Sequence, residues 1–230
     1  MKILAVSDEE SPYLWEHYVP GRLKEYDLII SAGDLKPDYL SFLVTMARCP
    51  VLFVHGNHDE VYDSHPPEGC DCIDDSLVIY NGVRILGLGG CMRYHPGNYQ
   101  YSEQEMVRKI RKIRHVIKKA GGVDILVTHS PARGLGDRDD PAHIGFTCFR
   151  DLLSDVKPPL MLHGHVHPQY DFSFVREHFF EDTRIINVSD RFVIEVPEAD
   201  HDPNEHNKII WKTKHKFKDF DPWEKNSRVI

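Results

Sequence analysis

Leu160-Met161-Leu162-His163-Gly164-His165-Val166-His167 is a short apolar run that stops at a glycine and then delivers alternating imidazoles. Its length and composition read as a buried strand at residues 160–162 with polar side chains gathered at its C-terminal end. The same grammar recurs along the chain. Residues 3–6 lead into Ser7-Asp8-Glu9-Glu10, and residues 28–30 lead to Gly33-Asp34. Residues 51–54 lead into Gly56-Asn57-His58-Asp59, and residues 125–127 into Thr128-His129-Ser130-Pro131. Open α/β sheets bind ligands outside the C-terminal ends of their strands, so five such endings in one chain point to one site. A lone Gly-Asp is a common turn, and a lone Gly-Asn-His-Asp can be a turn held by its Asn; the joint occurrence carries the argument.

Between these runs the pattern switches to helix. Residues 103–119 place Met106, Ile110, Ile113 and Ile117 on one face, with Arg108, Lys109, Arg111, Lys112, Lys118 and Lys119 on the other. That basic stripe reads as a solvated helix face. A shorter helix is expected at residues 147–154. Asn81-Gly82 between residues 77–80 and 83–87 is a strong hairpin signal. Residues 184–188 and 192–196 read as a final pair of strands joined at Ser189-Asp190-Arg191. Two units follow: a folded domain over residues 1–197, which carries all five strand-end motifs, and a polar tail over 198–230 that wraps the body or stays mobile.

Composition removes several function classes. The chain has 28 Lys and Arg against 36 Asp and Glu, a net charge of −8, which argues against binding a nucleic-acid polymer. No uncharged apolar run approaches the ~18–20 residues of a membrane span, and the N-terminus reaches Asp8 too soon for a secretory h-region. The reading is therefore cytoplasmic, with no membrane partner. Cys49, Cys70, Cys72, Cys91 and Cys148 then read as reduced thiols with structural or incidental roles, because Cys70-Asp71-Cys72 is too tight for a zinc knuckle.

The residue types at the strand ends suit one or two divalent cations with mixed nitrogen and oxygen ligands. In a two-metal site the ions clamp the attacking and leaving oxygens of a phosphoryl group, and a carboxylate such as Asp34 can bridge them. Gly33 and Gly56 permit the sharp turns that bring short side chains inward.

The order of these motifs resembles the calcineurin-like metallophosphoesterase superfamily, whose pattern runs D-x-H, G-D, G-N-H-[D/E], a single His and G-H-x-H. The match spans Asp8 to His167. The resemblance implies an α/β fold, a four-layer α/β/β/α sandwich of two mixed sheets flanked by helices. It implies a hydrolase that cleaves a phosphomonoester or phosphodiester by attack of a metal-bound hydroxide, with Mn, Fe or Zn as the metal. Asp8 and His167 would hold the first ion, Asp34 would bridge, and Asn57, His129 and His165 would hold the second. His58 would act as general acid, with Asp59 orienting its ring. A looser likeness to the small cyclic-nucleotide phosphodiesterases makes a nucleotide an alternative substrate. A non-catalytic binding scaffold is the alternative of another class.

One position departs from the pattern. Glu10 stands where D-x-H has its histidine, and it either ligates the first ion through oxygen or turns away. Two further segments are candidates for substrate contact. Arg93 lies beside the glycine-rich stretch Gly87-Leu88-Gly89-Gly90 and suits a phosphate, or else is a surface arginine. His143 lies in the polar loop 134–145, which could cover the site. His55 and His163 read as buried, hydrogen-bonded packing residues. His17, His65, His115, His178, His201, His206 and His215 read as surface residues.

Overall fold

Alternation along the strands builds the architecture seen in the computed structural model, which describes residues 1–168, 174–197 and 208–211. In chain order the elements are β1 (Lys2–Ser7), β2 (Leu28–Ser31), α1 (Pro37–Ala47), β3 (Val51–Phe53), β4 (Asp71–Cys72), β5 (Ser76–Tyr80) and β6 (Val83–Leu88). There follow β7 (Cys91–Met92), β8 (Gln100–Tyr101), α2 (Glu103–Ala120), β9 (Ile125–Thr128), α3 (Thr147–Val156) and β10 (Leu160–His163). The last are β11 (Glu177–Phe180), β12 (Thr183–Asn187), β13 (Asp190–Glu195) and β14 (Lys208–Trp211).

Two mixed sheets result. One has the order β13-β1-β2-β3-β4, and the other β11-β12-β10-β9-β6-β5-β14. Successive residues of a strand face opposite sides, and here both sides are buried. Ile3, Ala5, Leu28 and Ile30 meet Ile85, Ile125, Val127 and Leu162 of the second sheet in the central core. Leu4, Val6, Ile29 and Phe53 turn the other way, onto Leu40 and Leu43 of α1. On the far side, Leu86, Leu126 and Met161 pack on Ile110, Ile113, Phe149 and Leu152 of α2 and α3. Four layers follow directly, as expected. Strands buried on both faces carry continuous apolar runs rather than alternating ones, which is what residues 3–6, 28–30 and 125–127 show.

Local chemistry sets the boundaries. Ser102 caps α2 by accepting from the Glu105 N–H, while Glu105 reaches back to the Ser102 N–H, and Gly121 ends the helix with φ 77°. Asn81 and Gly82 both take positive φ, as a type I′ turn requires, and join β5 and β6 as an antiparallel hairpin.

The final strands depart from expectation. β12 and β13 do not pair with each other: β12 runs parallel to β10 in the larger sheet, whereas β13 runs antiparallel to β1 in the smaller one. A short connection suffices for the crossing because Arg176 donates to the carbonyls of Asn187 and Ser189 and holds the bend. Of the polar segment 198–230, β14 adds an antiparallel edge to β5; the remainder lies outside the described residues. No helix among the described residues is long and apolar enough to cross a membrane.

Candidate metal centre

The C-terminal ends of β1, β2, β3, β9 and β10 converge, and each contributes one residue: Asp8, Asp34, Asn57, His129 and His165. Three of them adopt the left-handed backbone region that side chains normally avoid, with φ 64° at Asp8, 57° at Asp34 and 70° at His165. Each such conformation costs of order 1–3 kcal/mol and persists where the surroundings over-determine it, as functional sites do. Glycines make the approach possible. A Cβ on Gly56 would lie 2.0 Å from Asp34 Oδ1, and one on Gly164 would lie 2.5 Å from Asp8 Oδ2.

His129 is fully buried at the centre. Its Nδ1 donates to the Ala32 carbonyl at 2.7 Å, so Nε2 is the free nitrogen of the neutral ring. That Nε2 faces Asn57 Oδ1 at 3.0 Å, His165 Nδ1 at 3.1 Å and Asp34 Oδ2 at 3.3 Å. His165 is committed in the same way, because its Nε2 donates to the Ala142 carbonyl at 2.7 Å and leaves Nδ1 as an acceptor. Four acceptors therefore meet with no donor among them. A proton on His129 Nε2, a donating water or a cation between the four atoms satisfies such a group, and the clustering of two imidazoles with a carboxylate and a carboxamide suits the cation.

The protonation tendencies express the same demand. Burial works against charge on His129, but the Asp34 carboxylate and its hydrogen bond overcome it and push the imidazole up to about 9. Burial would raise Asp34 as well, yet His129 and the backbone N–H of His58, which donates at 2.8 Å, hold it well below the usual carboxylate range. For His165, burial and then the neighbouring His129 push the imidazole down to about 3. Asp34, His129 and His165 form a group whose donor atoms all lie within 4.8 Å of one another. The mixed N/O set suits a divalent transition-metal ion.

The flank formed by Asp8 and His167 is arranged differently from the motif. Asp8 accepts the His165 N–H at 2.9 Å and the Ser7 hydroxyl at 2.6 Å, and burial raises its carboxyl. His167 Nε2 stands 4.0 Å from Asp8 Oδ1, while its Nδ1 meets Glu9 Oε1 at 3.3 Å. Glu10 turns away. Its carboxylate accepts the Lys36 N–H at 3.2 Å and pairs with the Lys36 ammonium at 3.5 Å, at the start of α1. Glu9 carries no signal in the motif, because it occupies the unspecified position of D-x-H.

Two other expectations are corrected by geometry. Asp59 does not hydrogen-bond the His58 ring; its Oδ2 accepts the N–H groups of Gly56 at 2.7 Å and Asp34 at 2.9 Å. Burial and then Asp34 push the Asp59 carboxyl up to about 7. Arg93 points elsewhere, pairing with Glu105 at 2.8 Å and the Gln100 carbonyl at 3.1 Å. Its neighbour Tyr94 is the residue that reaches the cluster, accepting from Asn57 Nδ2 at 3.2 Å through its hydroxyl. The backbone beside Arg93 is also engaged, since the Gly90 N–H donates to the His55 carbonyl and the Cys91 N–H to Tyr99.

His143 does come to the site: its ring centroid lies 5.2 Å from that of His165, and its Nδ1 contacts Asp140 at 2.8 Å. His58 is exposed beside the cluster. His163 is buried as expected, its Nδ1 on the Gly164 carbonyl, but its Nε2 has no partner among the described residues. His17, His65 and His115 are exposed, His178 is half-buried, and His201, His206 and His215 lie outside the described residues.

Comparison with known proteins bears on the family and the fold. A family model described as calcineurin-like phosphoesterase matches residues 1–169. An uncharacterized protein of Haemophilus influenzae is 28% identical over 202 residues, covering 74% of this chain and 85% of that protein. The crystal structure of TT1561 from Thermus thermophilus superposes with a TM-score of 0.55 at 15% identity, covering 82% of this chain and 89% of the other. A second solved structure gives a TM-score of 0.59 at 15% identity, with 82% and 90% covered.

Proposed function

Since the chain belongs to the calcineurin-like phosphoesterase family, we propose that it hydrolyses a phosphomonoester or phosphodiester at the cluster around His129. The observation that carries this reading is the convergence of four acceptors on one point with no donor of their own. Asp34, Asn57, His129 and His165 would hold one ion, and Asp8 and His167 a second. Such ions, when bound, polarise phosphoryl oxygens and make water a better nucleophile near neutral pH.

The chain's own groups have separable tasks. Ala32 and Ala142 fix the tautomers of His129 and His165, so the nitrogens that face inward carry lone pairs. Glu9 orients His167 in the same manner, through Nδ1. His58, exposed next to the cluster and anchored through its N–H to Asp34, is placed to donate a proton to a leaving oxygen. Asp59 fixes the two turns on which Asp34 and Asn57 stand. His143 stands beside His165 and is the side chain best placed to meet the rest of the substrate. A nucleotide is one such substrate, and the cytoplasm is the compartment the composition favours.

The test is turnover of 4-nitrophenyl phosphate and bis(4-nitrophenyl) phosphate with added Mn²⁺. Activity on either, lost in His129→Ala and strongly reduced in His58→Ala, supports the proposal. Silence on both substrates at saturating Mn²⁺ overturns it in favour of a binding scaffold.

A further inference from the structure

We infer that His55, Cys72 and Asp74 form a second, independent cation site, one that takes a thiophilic divalent ion such as Zn²⁺. His55 follows β3, and Cys72 and Asp74 lie at and just beyond the end of the neighbouring strand β4, so the main chain brings them together without any long loop. His55 Nδ1 is 2.7 Å from Asp74 Oδ2 and 3.6 Å from Cys72 Sγ, and all three donor atoms lie within 4.8 Å of one another.

Zinc bonds of ~2.0–2.1 Å to nitrogen and ~2.3 Å to sulfur put tetrahedral N and S ligands about 3.5 Å apart. The His55–Cys72 separation already matches that spacing. The His55–Asp74 pair must open from 2.7 Å by about 0.7 Å, from a hydrogen bond to two ligand positions. Space is held for the group: a Cβ on Gly89 would lie 2.3 Å from Asp74 Oδ1. The ring plane of His55 is held too, stacked on Tyr99 with centroids 4.2 Å apart and 6° between the planes. Binding releases the Cys72 thiol proton and the proton shared by His55 Nδ1 and Asp74. Water completes the fourth position. Bound metal would tie the end of β3 to residues 72–74, immediately before the turn that carries Asn57 and His58. The two groups share no residue.

Sulfur makes the test specific. The full-length protein, stripped with chelator and then dialysed, is titrated with Co²⁺ and followed by absorption. The cluster of Asp34, His129 and His165 has no sulfur, so a thiolate-to-cobalt charge-transfer band reports on the second site alone. The band is expected to saturate, to vanish when Zn²⁺ is added, and to be lost in Cys72→Ser. No band at saturating Co²⁺, or an undiminished band in Cys72→Ser, overturns the inference. A labelling experiment needs no variant. Zn²⁺ is expected to slow iodoacetamide modification of Cys72, mapped by peptide mass spectrometry, and to leave Cys49 unchanged. Equal modification of Cys72 with and without Zn²⁺ overturns the inference as well.

Discussion

One oxygen of the Asp59 carboxylate accepts the backbone N–H of Asp34 at 2.9 Å, so a buried acid positions another acid through its main chain rather than its side chain. The same oxygen takes the Gly56 N–H at 2.7 Å and ties the turn after β2 to the turn after β3. Asp59→Ala leaves two N–H groups unpaired, and each unmet buried donor costs ~1–3 kcal/mol. The expected result is a clear drop in melting temperature together with weaker Mn²⁺ binding by calorimetry. Asp59→Asn keeps an acceptor oxygen and should retain most of both.

Glu9 and Glu10 are expected to behave oppositely. Glu9 meets His167, and loss of a carboxylate that orients a metal-binding imidazole typically costs about tenfold to a hundredfold in affinity. Elemental analysis of Glu9→Ala should therefore show reduced metal content. Glu10→Ala should match the parent in metal content, because Glu10 is engaged with Lys36.

Gly56→Ala is expected to disrupt the site through bulk alone. Its φ does not lie in the left-handed region, so the added methyl is the whole perturbation. That methyl would lie 2.0 Å from Asp34 Oδ1. Overpacking of this kind costs ~1–3 kcal/mol and moves neighbouring backbone. Denaturant titration should register the cost, and Mn²⁺ affinity should fall with it.

Acid sensitivity can be assigned to a pair remote from the cluster. Arg84 grips both oxygens of Asp124, at 2.8 Å through Nε and 2.6 Å through Nη2. Burial alone would raise the Asp124 carboxyl, but the hydrogen bonds of the Arg84 side chain and backbone N–H hold it below the ordinary value. A depressed folded-state pKa stabilises above the unfolded value of ~3.9 and loses that contribution as pH falls through the folded one. The stability gap between the parent and Asp124→Asn should be constant from neutral pH down to about 5, then close on further acidification. Chemical denaturation at a series of pH values measures it.

Much of this site is legible in residue order alone. The apolar runs at residues 3–6, 28–30, 51–54, 125–127 and 160–162 correspond to β1, β2, β3, β9 and β10, and their polar endings converge. Such runs are legible because a strand buried on both faces tolerates little else. Short edge elements such as β4, β7 and β8 leave no such trace, since two paired residues carry no period. Side-chain direction is the other loss. Whether Glu9 or Glu10 turns inward, and whether Arg93 or Tyr94 does, depends on φ at Asp8 and on the pairing of β7 with β8. Neither is encoded in residue type. Asp59 misleads for a related reason: the family resemblance sets it against the His58 ring, while the 3₁₀ turn that starts at Asp59 directs its carboxylate back to the backbone N–H groups of Asp34 and Gly56.

The pairing of β1 with β13 sets a schedule for synthesis. Lys2 lies opposite Glu195, and the Met1 amino group donates to the Val196 carbonyl at 2.9 Å. β1 thus acquires its antiparallel neighbour only after the chain has been translated as far as Glu195. Until then one side of β1 is an open template for association, and contacts this distant in sequence form slowly. Asp8, at the end of that strand, likewise waits for its environment: the His165 N–H it accepts is 157 residues downstream. The candidate metal centre is thus a late product of folding, complete only once the ends of β1 and β10 have come together.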